Sequence, residues 1–275
     1  MRKINYPLIV SDFDGTLVKE DGTISQYTKD TIREYVAMGG KFVISTGRMP
    51  SGILPRAQEL GLEGLISCGN GAVMVDLGTK EVILEGKIPL DTAISVCQKM
   101  EEMGLHIHVY DLWDFYSNMD DEALAFYENI LHCKAKLVLD QPLSAFIKEK
   151  ELQPYKILAM VEEKDNNRVR EALAANKFPG CEVTQSSAYL VEVCNAAYSK
   201  GTAITYLSEH YAIPIEKTIA VGDQFNDLPM IETAGVGIAV KNADKRLKDK
   251  AISFEYTNEE DAIAKIIEKY GYLEA

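Results

Sequence analysis

The sequence predicts an α/β fold, a doubly wound parallel-sheet core interrupted by an inserted α+β segment. Short, nearly continuous apolar runs alternate with helical patterns through the first part of the chain, and the middle carries longer strands of alternating character. After Tyr198 the first rhythm resumes. With 275 residues the chain is long enough for two folding units, and 47% hydrophobic with 26% charged residues is the mixture of an ordinary globular protein.

Residues 6–11 form the first apolar run, as expected of a strand covered on both faces, and it ends directly in Asp12. A helix is expected over residues 25–38, with Ile32, Tyr35 and Val36 on its apolar face and Gly39-Gly40 as its stop. Strand 41–45, helix 50–60 and strand 64–67 continue the alternation and predict a parallel sheet with right-handed crossovers. In the middle, strands at 81–84, 106–116, 156–162 and 182–193, the last turning near Ser186-Ser187, read as an antiparallel sheet. Helices near 91–103, 120–130 and 165–176 are expected to cover one of its faces. A helix over 200–211 and strands at 218–221 and 236–240 complete the core. The division expected is a core of residues 1–84 and 190–275, with residues 85–189 inserted.

A net charge of -13 opposes binding to nucleic acid or to an anionic membrane surface. No apolar stretch approaches the roughly 18 residues of a membrane span, and residues 1–6 read as a polar lead-in, so a cytoplasmic location is expected. The five cysteines are scattered, odd in number and without CxxC spacing, which suits reduced, mostly buried thiols.

Ligands of an open parallel sheet bind beyond the carboxyl ends of its strands. That rule gathers Asp12-Phe13-Asp14-Gly15-Thr16, Thr46-Gly47-Arg48 and Gly222-Asp223-Gln224-Phe225-Asn226-Asp227, with Lys200 near the last. Four carboxylates, of Asp12, Asp14, Asp223 and Asp227, are then expected to converge, and such crowding calls for a cation. Oxygen ligands without His or Cys favour Mg2+. The Thr46 hydroxyl, the backbone amides around Phe13 and Gly47, and the Lys200 ammonium suit a phosphoryl group in transfer. Carboxylates at 12 and 14 allow one to attack phosphorus while the other handles the leaving-group proton, and Gly15 permits the tight turn between them.

Asp12-Phe13-Asp14-Gly15-Thr16-Leu17, Ile44-Ser45-Thr46-Gly47-Arg48, Ser199-Lys200-Gly201 and Gly222-Asp223-Gln224-Phe225-Asn226-Asp227 resemble, in order, the four motifs of the haloacid dehalogenase superfamily. Asn70-Gly71-Ala72 and the place of the insertion further resemble its Cof-type branch of phosphatases (subfamily IIB). The resemblance implies a Rossmann-like core and a mobile mixed α/β cap, between motifs about 150 residues apart. It implies Asp12 as nucleophile, Asp14 as acid/base, and Thr46 and Lys200 as phosphate stabilisers. Asp12, the Asp14 backbone carbonyl and Asp223 are the implied Mg2+ ligands. Asn226 would contact phosphate, and Asp227 would support the metal or Lys200. The activity implied is hydrolysis of a small phosphorylated metabolite, a sugar phosphate or phosphorylated cofactor, through an aspartyl-phosphate. A phosphomutase and a catalytically silent, phosphometabolite-binding regulator are the alternatives. The oligomeric state is left open.

Phe225 stands where many relatives carry a polar residue, and residues 195–198 lack the usual Pro and Gly. Asp12 to Thr16 also fits a helix-entry turn, but three further motifs at strand ends favour the site. Asp227 equally fits a cap or a partner of a lysine. His106 and His108 share a strand face and, lacking a third ligand at metal spacing, read as polar surface. Tyr110, Trp113, Phe115 and Tyr116 read as core of the insertion, and 241–250 as an exposed helix face.

Overall fold

The structure, a computed structural model, describes residues 3–131 and 133–273, so residues 1 and 2 of the lead-in and the last two residues of the expected core lie outside it. In chain order the elements are β1 (Leu8–Ser11), α1 (Gln26–Ala37), β2 (Lys41–Ile44), α2 (Pro50–Glu59), β3 (Leu65–Cys68), β4 (Val73–Asp76), β5 (Val82–Glu85) and α3 (Leu90–Glu102). There follow β6 (His106–Tyr110), β7 (Phe115–Ser117), α4 (Glu122–Leu131), β8 (Lys136–Leu137), α5 (Leu143–Glu149), β9 (Lys156–Met160), α6 (Asn166–Ala174), β10 (Cys181–Ser187) and β11 (Leu190–Asn195). The chain then forms α7 (Lys200–His210), β12 (Thr218–Gly222), α8 (Leu228–Thr233), β13 (Val236–Ala239), α9 (Lys245–Lys248), β14 (Ile252–Ser253) and α10 (Ala262–Tyr270).

The first sheet is parallel throughout, in the order β14-β13-β12-β1-β2. The chain leaves β1 for β2 on one side and builds β12, β13 and β14 on the other, so its switch point lies between β1 and β12. Every residue of both strands is buried, which their continuous apolar runs require. Helix α1 begins where the Ser25 side chain accepts from the Thr28 amide, and it buries Ile32 and Tyr35.

Strand 64–67, expected in this sheet, joins it only by a parallel bridge from Ser45 to Ser67. It turns instead into an antiparallel sheet, β3-β4-β5. Strand β4 was not foreseen, because the tight turn at Gly69–Gly71 rests on positive φ angles of 57° at Asn70 and 96° at Gly71 rather than on a loop-length gap. The segment 241–250 is helical only over α9, and Leu247 is buried there.

The second sheet has the order β10-β11-β9-β6-β7-β8. The expected strand 106–116 is two strands folded back at residues 111–114, and the two-residue β8 and seven-residue α5 are too short to show a period. Strand β11 pairs with β9 and β10, so the second sheet runs past the expected boundary at residue 190. Side chains alternate across it. Ile107, Val109, Ile157, Ala159, Val191 and Val193 face α3, α5 and α6, whereas Tyr110 and Leu158 join the apolar core that includes β1 and β12. Helix α4, expected among the covering helices, packs Leu124 and Leu131 into that other core.

This second face corrects two expectations. His106 and His108 are buried rather than surface, because β6 is an interior strand and that face meets the rest of the protein. His108 packs against Tyr110, Phe115 and Tyr127, and its Nε2 lies 3.1 Å from Nε2 of His106, which also meets Asp121 and Ser117. Tyr110 and Phe115 are core, stacked at 5.2 Å, but Trp113 sits exposed at the β6–β7 turn.

Burial, helped by His106 and Lys156, holds the His108 imidazole well below its usual value near 6.5. The unfolded chain therefore binds a proton that the fold refuses, and stability falls as pH drops through 6.5. Between pH 7.5 and 5.5 this contribution is worth up to about 1.4 kcal/mol. Urea denaturation should show that much less acid sensitivity in His108→Gln than in the parent, and equal pH dependence would refute the account.

All five cysteines are free, and Cys68, Cys97 and Cys194 are buried. Among the described residues, no helix is long and apolar enough to cross a membrane.

Candidate active site

Asp12 follows the last residue of β1, its amide donating to the Val221 carbonyl at 2.9 Å. Beyond it the chain turns sharply, with the amides of Leu17 and Val18 both donating to Phe13 O. Gly15 has φ 76°, and a Cβ there would stand 2.5 Å from Asp223 Oδ2, so both the turn and the close approach require glycine. Thr16 Oγ1 donates to Asp223 Oδ1 at 2.8 Å, tying the β1 loop to the β12 loop. The β12 loop curls because Asp227 Oδ2 accepts from the amides of Asp223 and Gln224, each at 2.9 Å. Lys200 opens α7, where Ser199 and Thr202 form a reciprocal cap that orients the first turn.

These elements bring Asp12, Asp223 and Asp227 together, with one oxygen of each within 4.8 Å of the others, all buried. Lys200 Nζ donates to Asp12 Oδ1 at 2.5 Å and to Asp227 Oδ1 at 2.6 Å, and its side chain has no exposed surface. Burial pushes the Asp12 carboxyl well above the usual carboxylate range; Lys200 pulls it back, and Asp227 and Asp223 push it up again. Burial and then Asp227 push Asp223 up to about 7, against the hydrogen bonds from Thr16 and Gln224. Burial alone would weaken the Lys200 ammonium, but Asp12 and Asp227 outweigh it and raise its pKa. Three buried carboxylates around one ammonium leave the site short of positive charge. A hard divalent cation fits that deficit and the all-oxygen donor set.

The other expected residues separate from this cluster. Asp14 turns outward, half-exposed, into a bidentate pair with Arg48, at 2.7 Å from Nε and 2.6 Å from Nη2. The convergence of four carboxylate side chains is thus corrected to three, since Arg48 offers Asp14 a better partner than three other acids. Thr46 is buried, its hydroxyl accepting from the Arg48 amide at 3.1 Å. Phe13 is buried with the Arg48 guanidinium 5.3 Å above its ring. Asn226 Nδ2 donates to Asn70 Oδ1 at 3.0 Å, and its Oδ1 is buried without a partner among the described residues. Phe225 packs against Arg246, whose guanidinium lies 4.7 Å over its ring.

Lys156 and Glu192 escaped sequence reasoning, as did the Arg48 pairing and the contacts of Asn70, which was noted only as part of a motif. Lys156 Nζ donates to Gly47 O at 2.8 Å and Glu192 Oε1 at 2.9 Å, and Glu192 Oε2 accepts from Asn70 Nδ2 at 2.9 Å. A buried polar chain therefore joins the second sheet to the loops around Gly47 and Asn226. The available signal was a single charge inside each otherwise apolar strand, Lys-Ile-Leu-Ala-Met and Leu-Val-Glu-Val-Cys. Above these groups opens a cleft of about 1290 Å3, with Asp12, Asp14, Thr46, Gly47, Arg48 and Asn226 in its lining and α4 along one wall.

A doubly wound sheet with three buried acids and a lysine at its switch point is a setting suited to phosphoryl-group chemistry. The profile of the haloacid dehalogenase-like hydrolases matches residues 9–267. The 5-amino-6-(5-phospho-D-ribitylamino)uracil phosphatase YitU of Bacillus subtilis is 29% identical over 272 residues, covering 97% of this chain and 98% of its own. A haloacid dehalogenase-like hydrolase from Bacteroides thetaiotaomicron is 27% identical, with a TM-score of 0.83 over 96% of this chain and 99% of its own. The subclass IIB sugar phosphatase BT4131, 23% identical, has the same fold, with a TM-score of 0.82 over 96% and 98% of the two chains. The chain belongs to the haloacid dehalogenase-like hydrolase family, in its Cof-type branch, and is an enzyme of the phosphatase class.

Proposed function

We propose that the chain hydrolyses a small phosphomonoester, a sugar phosphate or phosphorylated cofactor, with Mg2+ and through an aspartyl-phosphate on Asp12. The observation that carries this is the buried Asp12 carboxylate at the strand end, 2.5 Å from Lys200 Nζ and grouped with Asp223 and Asp227 under an open cleft.

An Asp12 oxygen attacks phosphorus, the bond to the ester oxygen breaks, and Asp14 delivers a proton to the departing alkoxide. Asp14 has both oxygens engaged by Arg48, so it reaches the leaving group only by giving up that pairing. Asp14 then takes a proton from water, which attacks the phosphorus of the acyl-phosphate and frees phosphate and the Asp12 carboxylate. Lys200 holds Asp12 and steadies the charge on the phosphoryl oxygens, with Thr46, the amides near Phe13 and Gly47, and Asn226 as further donors. Asp227 positions Lys200 and the β12 loop. Asp12, the Asp14 carbonyl and Asp223 would hold Mg2+, which supplies charge neutralisation and polarises a phosphoryl oxygen.

The inserted segment, residues 85–189 and by its pairing β11 as well, acts as the lid that excludes water and selects the substrate. Its contacts with the core include Lys156 donating to the Gly47 carbonyl, Arg48 donating to the Ile130 carbonyl and Asn70 donating to Glu192. Phosphate release should depend on Mg2+, vanish with a chelator and return on adding the metal back. Borohydride should trap the acyl-phosphate by reducing Asp12. Release that persists in chelator would overturn the metal assignment. Isomerised sugar phosphate without net release would make the chain a mutase.

A further inference from the structure

We propose that the leaving group of the substrate carries a flat, uncharged ring, held between Phe126 of α4 and Tyr189 of the β10–β11 turn; this deepens the phosphomonoester reading and rests on it. Helix α4, Glu-Ala-Leu-Ala-Phe-Tyr-Glu-Asn-Ile-Leu, is apolar over most of its length, yet only Leu124 and Leu131 are buried. Its remaining apolar stripe, Ala123, Phe126 and Ile130, lines the cleft. Phe126 is 68% exposed, and Tyr189, in the lining of the same cleft, is 56% exposed. Large aromatic side chains left uncovered beside a catalytic floor mark a surface that a ligand covers.

Lys156, Arg48 and His106, the nitrogen donors nearest that floor, are already engaged in the resting structure. Lys156 is bound to Glu192 and Gly47, Arg48 to Asp14, and His106 to Asp121 and Ser117. A polyhydroxylated leaving group would find few free nitrogen donors there and would bury some hydroxyl oxygens at a cost. A ring instead stacks on the aromatic walls. The lining of the cleft also carries Glu162 and Glu163 against Lys164, whose Nζ pairs with Glu162 at 2.6 Å. That net negative charge disfavours a second phosphate or a carboxylate at the far end of the substrate. The volume of about 1290 Å3 also exceeds what a hexose phosphate needs.

The test compares 2-phenylethyl phosphate with glucose 6-phosphate, both esters of primary alcohols and so alike at phosphorus. We expect kcat/KM for the ring ester to be about tenfold or more higher, a difference that Phe126→Ala or Tyr189→Ala reduces about tenfold through KM and Phe126→Trp preserves. Calorimetric titration of Asp12→Asn with each ester gives the same comparison without turnover, and adding Phe126→Ala should weaken binding of 2-phenylethyl phosphate about tenfold. A preference for glucose 6-phosphate, or alanine variants that leave the ratio unmoved, would overturn the ring proposal while leaving the phosphatase intact. Phe126-dependent binding with no hydrolysis of either ester would support the ring site and overturn the hydrolytic reading. Neither binding nor hydrolysis would overturn both.

Discussion

Asp12→Asn is expected to lower kcat for phosphate release by roughly four orders of magnitude or more, because the substitution removes the nucleophile and nothing nearby replaces it. Asp223 is tied to Thr16 and Gln224, Asp227 to Lys200 and two amides, and Asp14 to Arg48. Asparagine is nearly isosteric, so the loss should not come from the fold. It also removes one of three acids whose burial first, and crowding second, holds Asp12 and Asp223 above the usual carboxylate range. Without metal, the variant should therefore melt at or above the parent's temperature near neutral pH. A phosphate assay beside a thermal melt separates the two effects. Retained turnover would end the covalent mechanism, and a lost fold would leave the kinetic result uninterpretable for Asp12 alone, which is why borohydride trapping in the parent accompanies it.

Lys156→Met is expected to destabilise the chain by about 3–5 kcal/mol, the cost of leaving one partner of a buried pair without its counter-charge. The Lys156 and Glu192 side chains are 3% and 1% exposed, and Nζ also lies 4.7 Å over the Tyr110 ring. Burial pulls the Lys156 ammonium down, and Glu192 with Tyr127 more than offsets this, so it stays charged. Adding Glu192→Gln should recover part of the loss, because the neutral amide still accepts from Asn70 while no charge is stranded. Urea unfolding of both single variants and the double variant measures the coupling. Lys156→Met within about 1 kcal/mol of the parent would show that water reaches Glu192. The same variants bear on turnover, since Lys156 binds the carbonyl of Gly47 beside Thr46.

Much of the parallel core was legible because its determinants are local. Buried strands read as apolar runs, α1 and α7 announce themselves with Ser25 and Ser199 caps, and Asp12, Thr46 and Asp223 fall at strand ends where the sheet places ligands. The second sheet was harder. Period-2 alternation told that His106, His108 and Tyr110 share a face but not what covers it, and the exposed aspect assigned to the histidines was wrong for that reason. Helix α4 failed in the same way, since its pattern shows an apolar stripe whether a core or a ligand covers it.

By itself, then, the sequence determined the core strands β1, β2, β12 and β13 with helices α1, α2 and α7, and the residues at the β1 and β12 strand ends, with Asp12 first among them. Only the tertiary structure decided which acids meet. Asp14 is two residues from Asp12 yet is drawn away by Arg48, whereas Asp227, 215 positions further along, comes to the same lysine. Only the tertiary structure joined Glu192 to Lys156 and to Asn70, across 36 and 122 residues. The physical reason is that backbone periodicity and capping are properties of neighbouring residues, whereas a charge settles with the partner that best repays its burial, and that partner is chosen by packing in three dimensions.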